Sequence, residues 1–361
     1  MTTPAGPSSP GRRAVLRAAG GAGALALLAG GAAGDAPRRH GGPGGVLRIA
    51  TGEPTAFYAA FGRLLAGEIT RVCPRLRCRV RTTAGGITNL RLLRDGEVDL
   101  ALVMTDTALA AQGTAFFPRP VPLRAIGRVY ETYLQFAVRA DSSVRTVADL
   151  AGHPVSLGAV GSGAADLGER LLRAAGLSAA DVPVRHLRLA DATAAMREGS
   201  VDGLLVAGGV PLPALSRLDE ETGLRFLPLA DLLPRLGRTG DPGAGGPPGA
   251  GAPPDAAGHG GTAVSGAQLA DMGLEQVTFP PRAYRAADGV ATIGVSNLLV
   301  CRPDLDPLLA DLLTRLLALR ASALVPDNAV GAQFLDIRSL ISTGATELHP
   351  GAADAYRALH G

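Results

Sequence analysis

Three stretches of this chain bring small and polar residues to places where a ligand could be held. In Thr82 to Thr107, T-T-A-G-G-I-T-N-L-R-L-L-R-D-G-E-V-D-L-A-L-V-M-T-D-T, Gly85 and Gly86 free the backbone, Thr88 or Asn89 is placed to cap a helix, and Asp95-Gly96 stops it. Leu100 to Met104 follows as an apolar run of the kind buried on both faces of a parallel sheet, with polar Thr105 and Asp106 just beyond its carboxyl end. The second stretch is Gly158-Ala-Val-Gly161-Ser162-Gly163, which opens a helix from Ala164 to Ala175. The third is Gly208-Gly209-Val210-Pro211, at the end of the strand-like V-D-G-L-L-V-A. A helix start presents N–H groups with no acceptor in the helix, and a strand's carboxyl edge presents polar side chains. Together they suit a small anion.

Ser162 invites three chemistries. A nucleotide-phosphate loop would need a Gly-Lys-Ser/Thr ending and a dinucleotide fingerprint its full glycine spacing, and both are missing. A nucleophile elbow would need G-x-S-x-G and a histidine partner. What remains is a hydroxyl and bare N–H groups at a helix start, able to hold a carboxylate or simply to cap. Asp106 either caps the helix that follows it or faces the ligand. Tyr58 and Tyr130 are either cleft-lining aromatics or ordinary half-buried tyrosines. Of the three cysteines, Cys73 and Cys78 in C-P-R-L-R-C are near enough to bridge in an oxidising compartment or to stay as thiols, and Cys301 stands alone. The six histidines are scattered, so neither a metal nor a cofactor is expected.

The elements that must position these groups alternate between strand and helix. V-L-R-I-A from Val46 is a strand, and Phe57, Phe61, Leu64 and Leu65 mark a helix with Thr55 as candidate cap. Arg77 to Thr83 is a second strand leading into the Thr82–Thr107 unit, which makes a β-α-β-α-β half. Leu123 to Val138 reads as two short strands about a turn near Tyr130-Glu131-Thr132. Strands at 186–189 and 201–207 around a helix from Asp191 to Glu198 repeat the β-α-β logic. Val290 to Cys301 is strand-like, and Leu305 to Ala321 is a helix whose leucines belong to the core.

The chain has 361 residues, 47% of them hydrophobic and 19% charged, which is room for two globular lobes. The net charge of +3 comes with no basic run interleaved with aromatics, so a nucleic-acid partner is not expected. Residues 1–34 read as an export signal: Arg12-Arg13 precede an uncharged Gly/Ala-rich stretch, the pattern of the twin-arginine route, followed by a polar linker over 35–45. The mature protein is expected outside the cytoplasm, with cleavage of the signal favoured over its retention as an anchor. Residues 237–261 are almost entirely Gly, Pro and Ala, a composition expected to be a disordered insertion.

Taken together, T-G-E-P-T-A-F-Y (51–58), T-A-G-G-I-T-N-L-R-L-L (83–93), V-D-L-A-L-V-M-T-D (98–106), L-G-A-V-G-S-G (157–163), V-A-G-G-V-P-L-P-A-L (206–215) and L-H-P-G-A (348–352) resemble the TRAP-associated extracytoplasmic immunogenic (TAXI) family of solute-binding receptors. The resemblance implies an α/β, two-lobed type II periplasmic-binding-protein fold with a hinge and an interlobe cleft, without catalysis. Lobe 1 would be 46–138 with part of 297–361, and lobe 2 would be 139–296. It further implies capture of a small carboxylate or amino acid, glutamate-like, by a monomer that delivers it to the membrane subunits of a TRAP-type secondary transporter. Carried over by position, the ligand site takes Tyr58, Asn89, Thr105 and Asp106 from one lobe and Ser162, Gly163, Gly209 and Pro211 from the other. The family's glycine-rich first turn is here Gly52-Glu53-Pro54-Thr55. Glu53 beside a carboxylate is unfavourable unless it points away or meets an ammonium group. Two rival readings keep the same fold: a ligand-sensing subunit for a membrane sensor kinase, and a Ser162 hydrolase.

Overall fold

In the first half of the chain, apolar runs too short for helices form the centre of a sheet, and the amphipathic segments between them form its covering. The computed structural model describes residues 43–237, 263–326 and 337–360. The proposed export signal, most of the linker, and the Gly/Pro insertion beyond Gly237 lie outside the described residues. β1 (Gly45–Ala50) is flanked in parallel by β2 (Leu76–Arg81) and β3 (Leu100–Met104), with α1 (Phe57–Val72) and α2 (Gly86–Arg94) as the crossovers and α3 (Thr105–Ala111) running directly on from β3. A 16-residue strand, β4 (Arg124–Arg139), leads into the second half. That half holds β5 (Val155–Ser156), α4 (Gly163–Ala174), β6 (Val184–Arg185), α5 (Leu189–Arg197), β7 (Gly203–Gly208), α6 (Pro213–Thr222), β8 (Leu224–Phe226), α7 (Gly266–Asp271) and β9 (Leu274–Thr278). β10 (Ala291–Cys301) returns to the first half, where α8 (Pro307–Leu319), α9 (Ile337–Leu340) and α10 (Pro350–His360) follow.

The strand order is β2-β1-β3-β10-β4-β7-β5-β6, with β8 beside β4 and β9 beside β10. β10 pairs with β9 through Ala291–Val295 and with β3 through Asn297–Cys301. β4 pairs with β10 from Arg124 to Tyr133 and with β7 from Tyr133 to Val138. Two long antiparallel strands therefore change partners at the same level, and each belongs to both half-sheets. This is the α/β, two-lobed arrangement expected from the sequence.

Both half-sheets are covered on both faces, which explains why their strands read as continuous apolar runs. In the first, Leu47, Ile49, Phe61 and Leu313 pack on one side, and Leu90, Leu93, Val103 and Val300 on the other. In the second, Leu134, Phe136, Leu157 and Leu171 fill one side, and Ala137, Met196, Leu204 and Phe226 the other. Each fully buried side chain of this size contributes roughly 1.5–3 kcal/mol.

Three local expectations are corrected. Leu123 to Val138 is one strand, because Tyr130, Glu131 and Thr132 are all buried where β4 exchanges β10 for β7, leaving no surface for a turn. The strand expected at 186–189 is β6 at Val184–Arg185, and Leu189 already begins α5. α1 starts at Phe57 after Ala56, with no side-chain cap from Thr55. Of the two alternatives left open for Cys73 and Cys78, the structure has the free thiols, and the Cys73 thiol donates to the Pro43 carbonyl oxygen at 3.1 Å.

Candidate functional site

The starts of α2 and α4 meet face to face. The N-cap of α2 is Gly85, at φ +138°, a conformation open to glycine; its N–H donates to Thr83 Oγ1 at 3.0 Å. A Cβ on Gly85 would stand 3.1 Å from both Cα and Cβ of Ser162. Ser162 caps α4, its Oγ accepting from the Ala165 N–H at 3.1 Å. The Thr88 N–H, in the first turn of α2, donates to the Gly161 carbonyl oxygen at 3.0 Å, which ties one half of the molecule to the other. Thr88 and Asn89 thus lie inside the helix they were expected to cap.

Beside this contact is a cavity of about 100 Å³. Gly52, Glu53, Tyr58, Gly85 and Gly86 line it from the first half, Thr132 from the crossing strand β4, and Ser162, Gly163, Leu189 and Val206 from the second. Phe57, Met104 and Leu205 add apolar wall. The first residues of two helices, Gly86 and Gly163, therefore border one small, largely apolar space, a setting in which the partial positive charge of a helix start acts with little screening.

Of the eight positions carried over from the resemblance, Tyr58, Ser162 and Gly163 line this cavity. The Tyr58 hydroxyl donates to Asn297 Oδ1 at 2.5 Å, anchoring α1 to β10, and burial raises its pKa, so it remains a phenol. Asn297 in turn donates from Nδ2 to the Val295 carbonyl oxygen at 2.9 Å and to Thr132 Oγ1 at 3.2 Å. Gly163 is required by closeness: a Cβ there would lie 2.5 Å from Thr107 Oγ1 and 2.7 Å from Met104 Cε.

The other five are placed elsewhere. Asn89 is fully buried, donating from Nδ2 to the carbonyl oxygens of Thr51 (2.7 Å) and Leu102 (2.8 Å) and accepting from Thr83 Oγ1 (2.6 Å). It fastens α2 to β3 and to the residue that follows β1. Thr105 Oγ1 donates to the Ser296 main-chain oxygen at 3.0 Å, and the two hydroxyls are hydrogen-bonded to each other at 2.8 Å. Asp106 is buried in an ion pair with Arg170 of α4 and accepts from the Thr107 N–H at 2.7 Å. Burial pushes the Asp106 pKa up, and the Arg170 charge opposes that shift. Gly209 packs on Phe57 and its carbonyl oxygen accepts from Gln135 Nε2 at 3.2 Å, while Pro211 follows a cis peptide. None of these five lines the cavity.

Sequence reasoning missed Thr132 and the start of α5. Both omissions come from the two misread segments, since a turn at 130–132 and a strand at 186–189 would face these groups elsewhere. Glu53 bridges the halves: its Oε2 accepts from the Leu189 N–H at 3.1 Å, so a carboxylate from one half caps a helix of the other. Burial raises the Glu53 pKa, opposed by that hydrogen bond and by Arg188. Behind Thr132, Glu131 is fully buried against Arg128, whose guanidinium donates to Oε2 at 2.9 Å, and close to Glu275 of β9. Burial together with Glu275 pushes its carboxyl up to about 8.

Many solved structures are similar to this chain, among them the following three. The periplasmic aliphatic sulphonate-binding protein SsuA from Escherichia coli is 28% identical over 50% of this chain, with a TM-score of 0.37, and this chain spans only 56% of its length. The alkanesulfonate-binding protein SsuA from Xanthomonas axonopodis pv. citri, bound to MOPS, is 20% identical over 86% of this chain and 83% of its own, with a TM-score of 0.45. The P235GK mutant of ArgBP from T. maritima is 14% identical over 50% of this chain and 75% of its own, with a TM-score of 0.37. The model of the NMT1-like family matches residues 49–234, from β1 through α6 and past β8, a span that holds every residue lining the cavity. That match covers more than half of the 361 residues, and the chain belongs to the NMT1-like family.

Proposed function

We propose that this protein is an extracytoplasmic solute receptor that closes two lobes on a small carboxylate or amino acid and delivers it to a TRAP-type secondary transporter, as a member of the TAXI group. The observation that carries the reading is the cavity at the crossing strands, bordered by the starts of α2 and α4 and bridged by contacts from one half-sheet to the other. Helix starts orient a carboxylate without reacting with it, and Ser162 Oγ is engaged as a cap. Two strands shared by both half-sheets supply the hinge on which such a cavity opens and closes.

Calorimetric titration of the full chain, unfolded and refolded to strip carried-over solute, against L-glutamate, L-glutamine, L-valine and succinate tests it. Saturable one-site binding of at least one is the expected result, and failure of all of them overturns the reading. Uptake of that solute into vesicles bearing the membrane subunits should require both this protein and an ion gradient.

A further inference from the structure

Glu53 is the charged side chain among those lining the cavity, and it faces a space otherwise walled by backbone, hydroxyls and apolar groups. It is half-buried. Its Oε2 accepts from the Leu189 N–H, and its other oxygen takes no hydrogen bond from any described residue. Arg188, the N-cap of α5, is the cation whose field reaches it and Asp191 an anion that opposes it, but neither lines the cavity. A carboxylate partly removed from water needs a counter-charge or a donor. A second anion placed beside it in this apolar space is repelled more strongly than it would be in water.

The two helix starts call for a carboxylate, and Glu53 calls for a cation. One small molecule answers both. Building on the receptor reading above, we propose that Glu53 sets the ligand class by receiving an ammonium group, so that the solute is an amino acid with a small apolar side chain. Its carboxylate lies toward α2 and α4, and its side chain rests against Phe57, Met104 and Leu205. Because Glu53 is also held by Leu189 from the opposite half, the ammonium seat is complete only when the cavity is closed.

The test is a calorimetric comparison of L-valine with 3-methylbutanoate, the same molecule without its ammonium group, on the full chain and on Glu53→Gln. Glutamine keeps an oxygen for the Leu189 N–H and removes the charge. Valine should bind the natural protein roughly ten-fold or more tighter than 3-methylbutanoate, and Glu53→Gln should weaken valine by a similar factor while leaving 3-methylbutanoate unchanged or tighter. Equal binding of the two, or undiminished binding of valine by Glu53→Gln, overturns the proposal and leaves the receptor reading in place. So does binding of succinate without valine. If no solute binds, both fall. Should Glu53→Gln fail to fold, the comparison of the two ligands on the natural protein decides alone.

Discussion

Glu131→Gln should flatten the pH dependence of stability between pH 6 and 9. Glu131 is fully buried on β4, next to the cavity-lining Thr132. One of its oxygens accepts from Arg128, the other has no hydrogen-bond partner among the described residues, and Glu275 stands near by. Burial, then Glu275, push its carboxyl from 4.5 up to about 8. A raised carboxyl holds its proton in the folded state after the unfolded chain has released its own. Its stabilisation is complete below the unfolded value, declines as pH rises, and is gone above about 8. From pH 6 to pH 9 the loss is two units at about 1.4 kcal/mol each, or about 2.7 kcal/mol, most of it complete by pH 8. Glu275 is held below its ordinary value by Glu131 and Arg128, so it titrates on the acid side of this window. Urea unfolding at pH 6, 7, 8 and 9 and constant ionic strength, for the natural protein and Glu131→Gln, isolates the contribution. The difference between the two proteins should shift by about 2–3 kcal/mol across the range. A difference constant to within about 0.5 kcal/mol would refute the assignment of a buried, protonated carboxyl at this strand crossing.

Arg170→Met leaves Asp106 buried without its cation and should cost about 3–5 kcal/mol in denaturant unfolding, with Asp106→Asn restoring part of the loss in the double variant. A cost below about 1 kcal/mol would mean the pair is solvated in solution. Asn89→Ala strands the carbonyl oxygens of Thr51 and Leu102 and should lower stability by roughly 1–3 kcal/mol. Ser162→Ala should lose about 1 kcal/mol through the α4 cap, read from the thermal midpoint. Gly163→Val drives a side chain into Thr107 and Met104, and should abolish solute binding in a protein whose circular dichroism shows it still folded.

Much of the architecture was legible in the residues themselves. Leu100 to Met104 could be read as a doubly buried strand because all five residues are apolar. The α4 start was legible because a glycine turn followed by serine leaves few alternatives. β4 was not, since a turn and a strand crossing between half-sheets share the same local pattern around Tyr130-Glu131-Thr132, and only the change of partner from β10 to β7 distinguishes them.

The same division runs through the site. By itself the sequence determined which segments end in glycine turns, which helices begin there, and that Tyr58, Ser162 and Gly163 stand beside those turns, because backbone freedom and capping are settled within a few residues. Only the tertiary structure decided that Asn89 serves the carbonyls of Thr51 and Leu102, that Asp106 meets Arg170 at a sequence distance of 64, and that Glu53 meets Leu189 at a distance of 136. A polar side chain's role is set by whichever donor or acceptor the fold brings within about 3 Å. For these three residues that partner lies on another element, beyond the reach of any local pattern.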